Sequence, residues 1–472
     1  MKKYILFSIL ISSIQHLHAA IWHVGPSQVY TKPSQVSSLV QNGDTVNIDA
    51  ATYTSDVAYW NASDLLIRGI GGYAYLQSNG ASYGGKAIWV IGGSNTTVEW
   101  IEFSGCSVPD HNGAGIRQEG KNLTVRHCYF HDNEEGILAG TVNPSNILIE
   151  YTEFDHNGYG DGYSHNLYIN NIDTLTFQFN YSHHAVVGHE LKSRAHVNFI
   201  LYNRISNEAT GTASREIDLP NGGTSILIGN EIEQGANSEN SNIIGYGLEG
   251  LTNPSPHEIY LANNTIVNDK SSGTFLQLQT GTSLLKSYNN IFAGSGTLLS
   301  GTATSVDTSN NWRTVSIASV SFSDASNYDY HLLNLSPAID KGANAGNTNS
   351  GFSLLPLFEY VDPANSILRM PNGNIDLGGY EFSFPLNISN AAEISNSISV
   401  IQNNENEFVS IASQGLIITE INLFKINGGK IFSNSTSTQS YQFYTSSLIS
   451  GIYILDIKTK EGVNKTIKLF FH

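Results

Sequence analysis

Val98-Glu-Trp-Ile-Glu-Phe103, Val125-Arg-His-Cys-Tyr-Phe130 and Ile149-Glu-Tyr-Thr-Glu-Phe154 carry one pattern three times. Apolar and polar residues alternate, and a bulky apolar residue closes each run. The pattern continues as Phe177-Gln-Phe-Asn-Tyr-Ser182, Ile200-Leu-Tyr-Asn-Arg-Ile205 and Leu227-Ile-Gly-Asn-Glu-Ile232, with later copies ending at Ile266 and Phe292. The closing residues are 27, 24, 28, 23, 27, 34 and 26 positions apart. A fixed unit with loops of varying length gives such spacing. A second apolar run sits inside each unit, as in Asn166-Leu-Tyr-Ile-Asn170, His189-Glu-Leu-Lys192 and Arg215-Glu-Ile-Asp-Leu219. Units of about 25 residues cannot bury an apolar face alone, but stacked units share one core. Gly and Asn cluster between the runs, where the chain must turn sharply.

Composition agrees with an all-β, turn-rich chain. At 472 residues it exceeds one ordinary core, so an elongated repeat or several domains is expected. Hydrophobic residues make up 40% and aromatics 10%, which excludes disorder. The net charge is −17, and −19 once Lys2 and Lys3 leave with the leader described next. Such a surface repels nucleic-acid backbone, so no nucleic-acid partner is expected. Two cysteines, Cys106 and Cys128, exclude a disulfide scaffold and leave open whether they pair or stay thiols.

Both ends of the chain read as addresses. Met1-Lys2-Lys3, an apolar stretch from Tyr4 to Ile14 and small residues at Ala19 and Ala20 make a signal peptide over 1–19. That stretch is shorter than the roughly 20 residues needed to span a bilayer, and no transmembrane segment is expected later. Pro385 to Ser397 is rich in Ser, Asn and Ala and reads as a linker. Strands with turn signals return over 398–472, which predicts a small antiparallel sandwich.

The repeats resemble the right-handed parallel β-helix of the pectate-lyase-like superfamily, over residues 20–300. Tyr328-Asp-Tyr-His-Leu-Leu-Asn-Leu-Ser-Pro-Ala-Ile-Asp-Lys-Gly342 and Ile375-Asp-Leu-Gly-Gly-Tyr-Glu381 are similar to the closing segment of many secreted β-helix proteins. Residues 301–384 are therefore expected to cap the open strand edges of the solenoid. The ending Gly451-Ile-Tyr-Ile-Leu455, Lys458-Thr-Lys-Glu-Gly462 and Thr466-Ile-Lys-Leu-Phe470 looks like the sorting domain of type IX secretion substrates. That resemblance implies the type IX machinery as a partner and a secreted or cell-surface destination.

On stacked coils, outward residues form ladders about 4.8 Å apart, along which a polymer can lie. The densest polar cluster spans His156 to Gly223. Strict alternation puts Asn166, Tyr168 and Asn170 outward on one coil, Glu190 and Lys192 on the next, and Glu216 and Asp218 on a third. Cleavage of a uronic-acid polymer by β-elimination needs a base and a cation beside the sugar carboxylate. Lys192 is the candidate base, with Arg215 and His189 as catalytic partners. Asn166, Tyr168, His165, His184 and Arg194 are candidate substrate contacts. Glu190, Glu216 and Asp218 are candidate Ca²⁺ ligands, since the ion takes about 6–8 oxygens.

Lys192-Ser193, Tyr202-Asn203, Gly211-Thr212 and Arg215 further resemble the chondroitinase-B and alginate-lyase type of β-helix lyase, although Arg215-Glu216-Ile217 stands where that type has Arg-His-Gly. The expected substrate is an anionic polysaccharide. A non-catalytic glycan-binding or adhesin role is the competing expectation. So is glycoside hydrolysis by Glu190 with Asp218 or Glu216, which would need about 5–5.5 or 6.5–9.5 Å between carboxyls.

Overall fold

The computed structural model describes residues 19–382 and, further on, 398–403, 408–413, 416–425, 429–445, 448, 451–460 and 462–471. The leader through residue 18 and the 385–397 linker lie outside the described residues. The chain divides into two compact units, residues 1–383 and 384–472.

The first unit is a solenoid of three parallel sheets with 12, 11 and 10 strands. Each coil adds one strand to the first sheet, one to the second and one to the third. Parallel pairing begins at Ile21–Val24 and persists to Trp312–Thr314, beyond the expected boundary at 300. The repeat positions found in the sequence stack in register: Phe103, Phe130, Phe154, Ser182, Ile205, Ile232, Ile266 and Phe292 pair in succession along the second sheet. The rings of Phe103, Phe130 and Phe154 stack at 5.0 and 5.1 Å inside the cylinder.

Each six-residue run is a corner rather than one strand. Trp100, His127, Tyr151, Phe179 and Tyr202 take left-handed backbone (φ 57°, 49°, 53°, 59° and 56°) between the first and second sheets. Their rings stack in sequence at 4.6, 5.0, 5.0 and 5.6 Å. One residue later the chain turns inward at Asn180, Asn203, Asn230, Asn264 and Asn290, all fully buried. Asn203 donates from both its backbone N and its Nδ2 to Asn230 Oδ1 (3.0 and 2.9 Å), and Asn230 does the same to Asn264 (3.0 and 2.8 Å). The ladder supplies partners for buried backbone that no strand can satisfy at a corner.

A short helix, Ser34–Ser37, buries Val36 against the first coils. The segment after 314 departs from expectation. Instead of plugging the last coil, it folds back along the flank, packing Val320, Phe322, Tyr330, Leu377 and Tyr380 on Val267, Ile291 and Ala293. Its two motifs hold each other. Asp376 Oδ1 accepts the Asp340 N–H at 2.6 Å, Gly342 N donates to Ile375 O, and buried Arg369 pairs with Glu381 at 2.6 Å. Tyr380 reaches the solenoid, donating to Glu231 at 2.5 Å. The final coil opens as a cleft of about 440 Å³ lined by Leu276, Leu285, Phe292, Leu299 and Val306.

The second unit is the expected sandwich. Ile398–Asn403, Phe408–Ser413 and Ser440–Tyr444 form one antiparallel sheet. Ile418–Lys425, Lys430–Thr438, Gly451–Thr459 and Asn464–Phe471 form the other. Val409, Ile411, Ile421, Leu423, Leu455 and Ile457 fill the space between them.

Candidate functional site

The outer wall of the third sheet gathers most of the expected residues. Arg117, Leu138, Tyr168, Lys192 and Asp218 pair in register over five successive coils. Three residues earlier in each coil, Glu135, His165, His189 and Arg215 form a second column. Here each side chain receives the next coil's backbone. His165 N donates to Glu135 Oε2 (3.1 Å), His189 N to His165 Nδ1 (3.0 Å), and Arg215 N to His189 Nδ1 (3.2 Å). Both imidazoles therefore carry their proton on Nε2 when neutral. Burial lowers His165 to about 3 and His189 well below its ordinary value, with nearby cations adding to both. Arg194 lies two residues beyond Lys192.

Strict alternation fails one step before each strand. The strands are only Leu167–Ile169, Leu191–Ser193 and Ile217–Leu219, and the preceding residue belongs to the corner. Asn166, Glu190 and Glu216 consequently turn inward and are fully buried, while Arg215, which alternation aims inward, faces the outer wall. Glu190 accepts from Asn166 Nδ2 (2.5 Å), Ser182 Oγ (3.1 Å) and Ala185 N (2.8 Å), and burial pushes its carboxyl up to about 8. Burial and the nearby Glu233 raise Glu216 well above the carboxylate range.

The candidate calcium set does not assemble. Glu190 and Glu216 lie inside the wall, and both Asp218 oxygens face cations or an imidazole: Lys192 Nζ and His189 Nε2 at 3.5 Å each, and Arg215 Nη1 at 3.3 Å. The same inward turn removes Glu190 and Glu216 from the expected hydrolase pair. Asn203 belongs to the corner ladder. His184 lies in the turn after the strand Tyr181–His183, among His156 and Asp155.

What remains is a compact charge cluster. Lys192 Nζ contacts Glu249 Oε1 at 3.0 Å, and Arg194 Nη2 contacts Glu249 Oε2 at 2.5 Å. Arg194 Nε also donates to the Tyr168 hydroxyl (2.9 Å), and its Nη1 donates to Asn221 (2.6 Å). Lys192 and Arg194 each lie 5.7 Å from the Tyr168 ring centre. Burial opposes ionisation of Glu249, but its bonds from Arg194 and Lys192 outweigh that and lower its carboxyl. Sequence reasoning misses Glu249. Its signal is the 34-residue spacing before Ile266, the longest in the series, which marks an inserted loop.

Beside the cluster lies a cleft of about 280 Å³, lined by Arg117, Glu135, Leu138, Asp161, Tyr163 and Tyr168 among others. Tyr163 stands at its rim, 84% exposed. Burial raises Glu135 well above its ordinary value, against the pull of the His165 N–H and of Arg117 and Lys192. Elsewhere, Cys106 and Cys128 are free, buried thiols, both pushed up to about 12 by burial.

Two families of known proteins match parts of the chain. Residues 51–184 match the family model described as right handed beta helix region. Residues 403–471 match the secretion system C-terminal sorting domain. Among solved structures, the crystal structure of pectate lyase Pel9A is similar at 13% identity, covering 77% of this chain and 96% of that one, with a TM-score of 0.44. No curated protein matches the chain. Among the described residues no helix is long and apolar enough to cross a membrane.

Proposed function

Taking the chain as a secreted or cell-surface right-handed parallel β-helix protein with a type IX sorting domain, we propose that it acts on carbohydrate, cleaving a uronic-acid-containing polysaccharide by β-elimination on the outer wall of the third sheet. One observation carries the reading. Lys192 and Arg194 jointly grip the carboxylate of Glu249, which comes from a separate loop and whose side chain is 47% exposed. A uronate carboxylate matches that group in charge and shape, so Glu249 holds the place the substrate takes.

In this reading Arg194, with Arg215 close by, neutralises the sugar carboxylate and so acidifies the adjacent C–H. Lys192 removes that proton. The electron pair forms the new double bond, and the glycosidic oxygen on the next carbon leaves and collects a proton. Acting as base requires the neutral amine. Tyr168 lies beneath both cations, and the rim residue Tyr163 offers a ring for a sugar to stack on. No step runs through calcium.

A hydrolase is the second reading, favoured by Glu135. Burial raises its carboxyl well above the ordinary range, as suits a general acid, and it shares the cleft with Asp161. Incubation with alginate, pectate, glycosaminoglycans and ulvan, with and without EDTA, separates the readings. An unsaturated uronate absorbing in the ultraviolet supports elimination. New reducing ends without that absorbance support hydrolysis. Binding without either product leaves a glycan-binding protein.

A further inference from the structure

The second sheet carries a separate group of imidazoles on its outer wall. Asp155 and His183 end the strands Glu153–Asp155 and Tyr181–His183 and pair in register on successive coils. The next residue in each coil, His156 or His184, takes left-handed backbone (φ 50° and 55°). Their rings stack at 4.7 Å with planes 6° apart.

The ligand atoms of this group converge. Asp155 Oδ1 lies 3.2 Å from His183 Nδ1 and 3.7 Å from His184 Nδ1, and it contacts His156 Nδ1 directly. One donor atom each from Asp155, His156 and His184 lies within 4.8 Å of the others. His156 is half-exposed, so the cluster opens to solvent.

The Nδ1 atoms of His156, His183 and His184 all face Asp155 Oδ1. His183 Nε2 is 3.1 Å from Glu153 Oε1, which fixes a proton on that nitrogen and frees Nδ1. His183 Nδ1 and His184 Nδ1 are 2.7 Å apart, so His184 supplies the one proton between them. A cation enters there when the neutral His184 ring shifts its proton from Nδ1 to Nε2, which lies 4.0 Å from Glu208 Oε2.

We infer that Asp155, His156 and His184, backed by His183, bind a divalent transition-metal ion that pins two successive coils together. Imidazole nitrogens with one carboxylate suit Zn²⁺, Cu²⁺ or Ni²⁺, whereas Ca²⁺ wants an all-oxygen shell. With ligand bonds of about 2.0–2.2 Å, donors surround such an ion about 3.3 Å apart. Side-chain rotation brings donors that now lie within 4.8 Å of one another to that spacing.

The test uses the untagged full chain, stripped with EDTA and titrated with ZnCl₂ or CuSO₄ alone by calorimetry. One equivalent should bind at micromolar concentration or tighter. The copper form should show nitrogen hyperfine splitting, and zinc should raise Tm by a few degrees. The pair His156→Asn and His184→Asn keeps residues that tolerate left-handed backbone and should weaken binding at least tenfold. His127→Asn, at a left-handed position in another turn, should not. Absence of a one-equivalent site, or equal binding by the double variant, overturns the inference. If the double variant does not fold, His156→Asn alone decides between the same two outcomes, because its side chain is half-exposed and its loss leaves the core intact.

Discussion

Lys192 Nζ lies 3.0 Å from Glu249 Oε1, although 57 residues separate them. The loop that carries Glu249 reaches back across the wall and occupies the cation pair with a carboxylate of the chain's own. Any anionic substrate must displace it. The Glu249→Gln variant should therefore lower KM for the anionic polymer severalfold, since exposed ion pairs are worth about 0–1 kcal/mol. Unchanged or raised KM would remove Glu249 as a substrate mimic.

Lys192→Ala should reduce eliminative kcat by about 10²–10⁴-fold, the usual contribution of a positioned base. Full activity in this variant, measured by ultraviolet absorbance, would remove Lys192 from the mechanism. Tyr163→Ala should instead raise KM with little change in kcat, because its ring only stacks.

Glu190 sets a pH dependence of stability. Unfolded, its carboxyl ionises near 4.5; folded, burial raises it to about 8. Its contribution is complete below 4.5 and is lost as pH rises through about 8, at roughly 1.4 kcal/mol per unit of displacement. Urea denaturation from pH 5 to 9 should show stability falling, and Glu190→Gln should flatten that slope.

Asn230→Ala removes the acceptor of the Asn203 N–H and Nδ2 and the donor to the Ile200 carbonyl inside the corner. The loss should be about 2–4 kcal/mol by chemical denaturation, from unsatisfied buried polar groups plus the missing volume. Asn263→Ala, at a left-handed position on the next coil, adds backbone strain to the loss of its buried bonds to Asp376 O and from Asn289 Nδ2, and should cost a comparable amount.

The solenoid was legible because stacking forces a repeat. Phe103, Phe130 and Phe154 must fall on one line for the core to close, so their spacing survives in the sequence. Tyr168, Lys192 and Asp218 were legible for the same reason, being mid-strand where alternation holds. Glu190 and Glu216 were misread because they sit at a corner, where the local turn decides direction and no period reports it. Glu249 was invisible to any period, since it comes from an insertion. The flanking position of the 315–382 segment was equally hidden: its motif residues bind partners such as Glu231 and Asn289 on the solenoid wall, and nothing local to Tyr380 or Gly378 names them.

The inward turn at Asn166, Glu190 and Glu216 separates two tasks within three residues. Asn166, Glu190 and Glu216 answer to the packed interior, whereas Tyr168, Lys192 and Asp218, two residues further on, answer to whatever lies outside. Exchange among exterior partners can then proceed coil by coil while the cylinder keeps its volume and its hydrogen bonds. A lineage built this way can retune what it recognises without first having to re-evolve its scaffold.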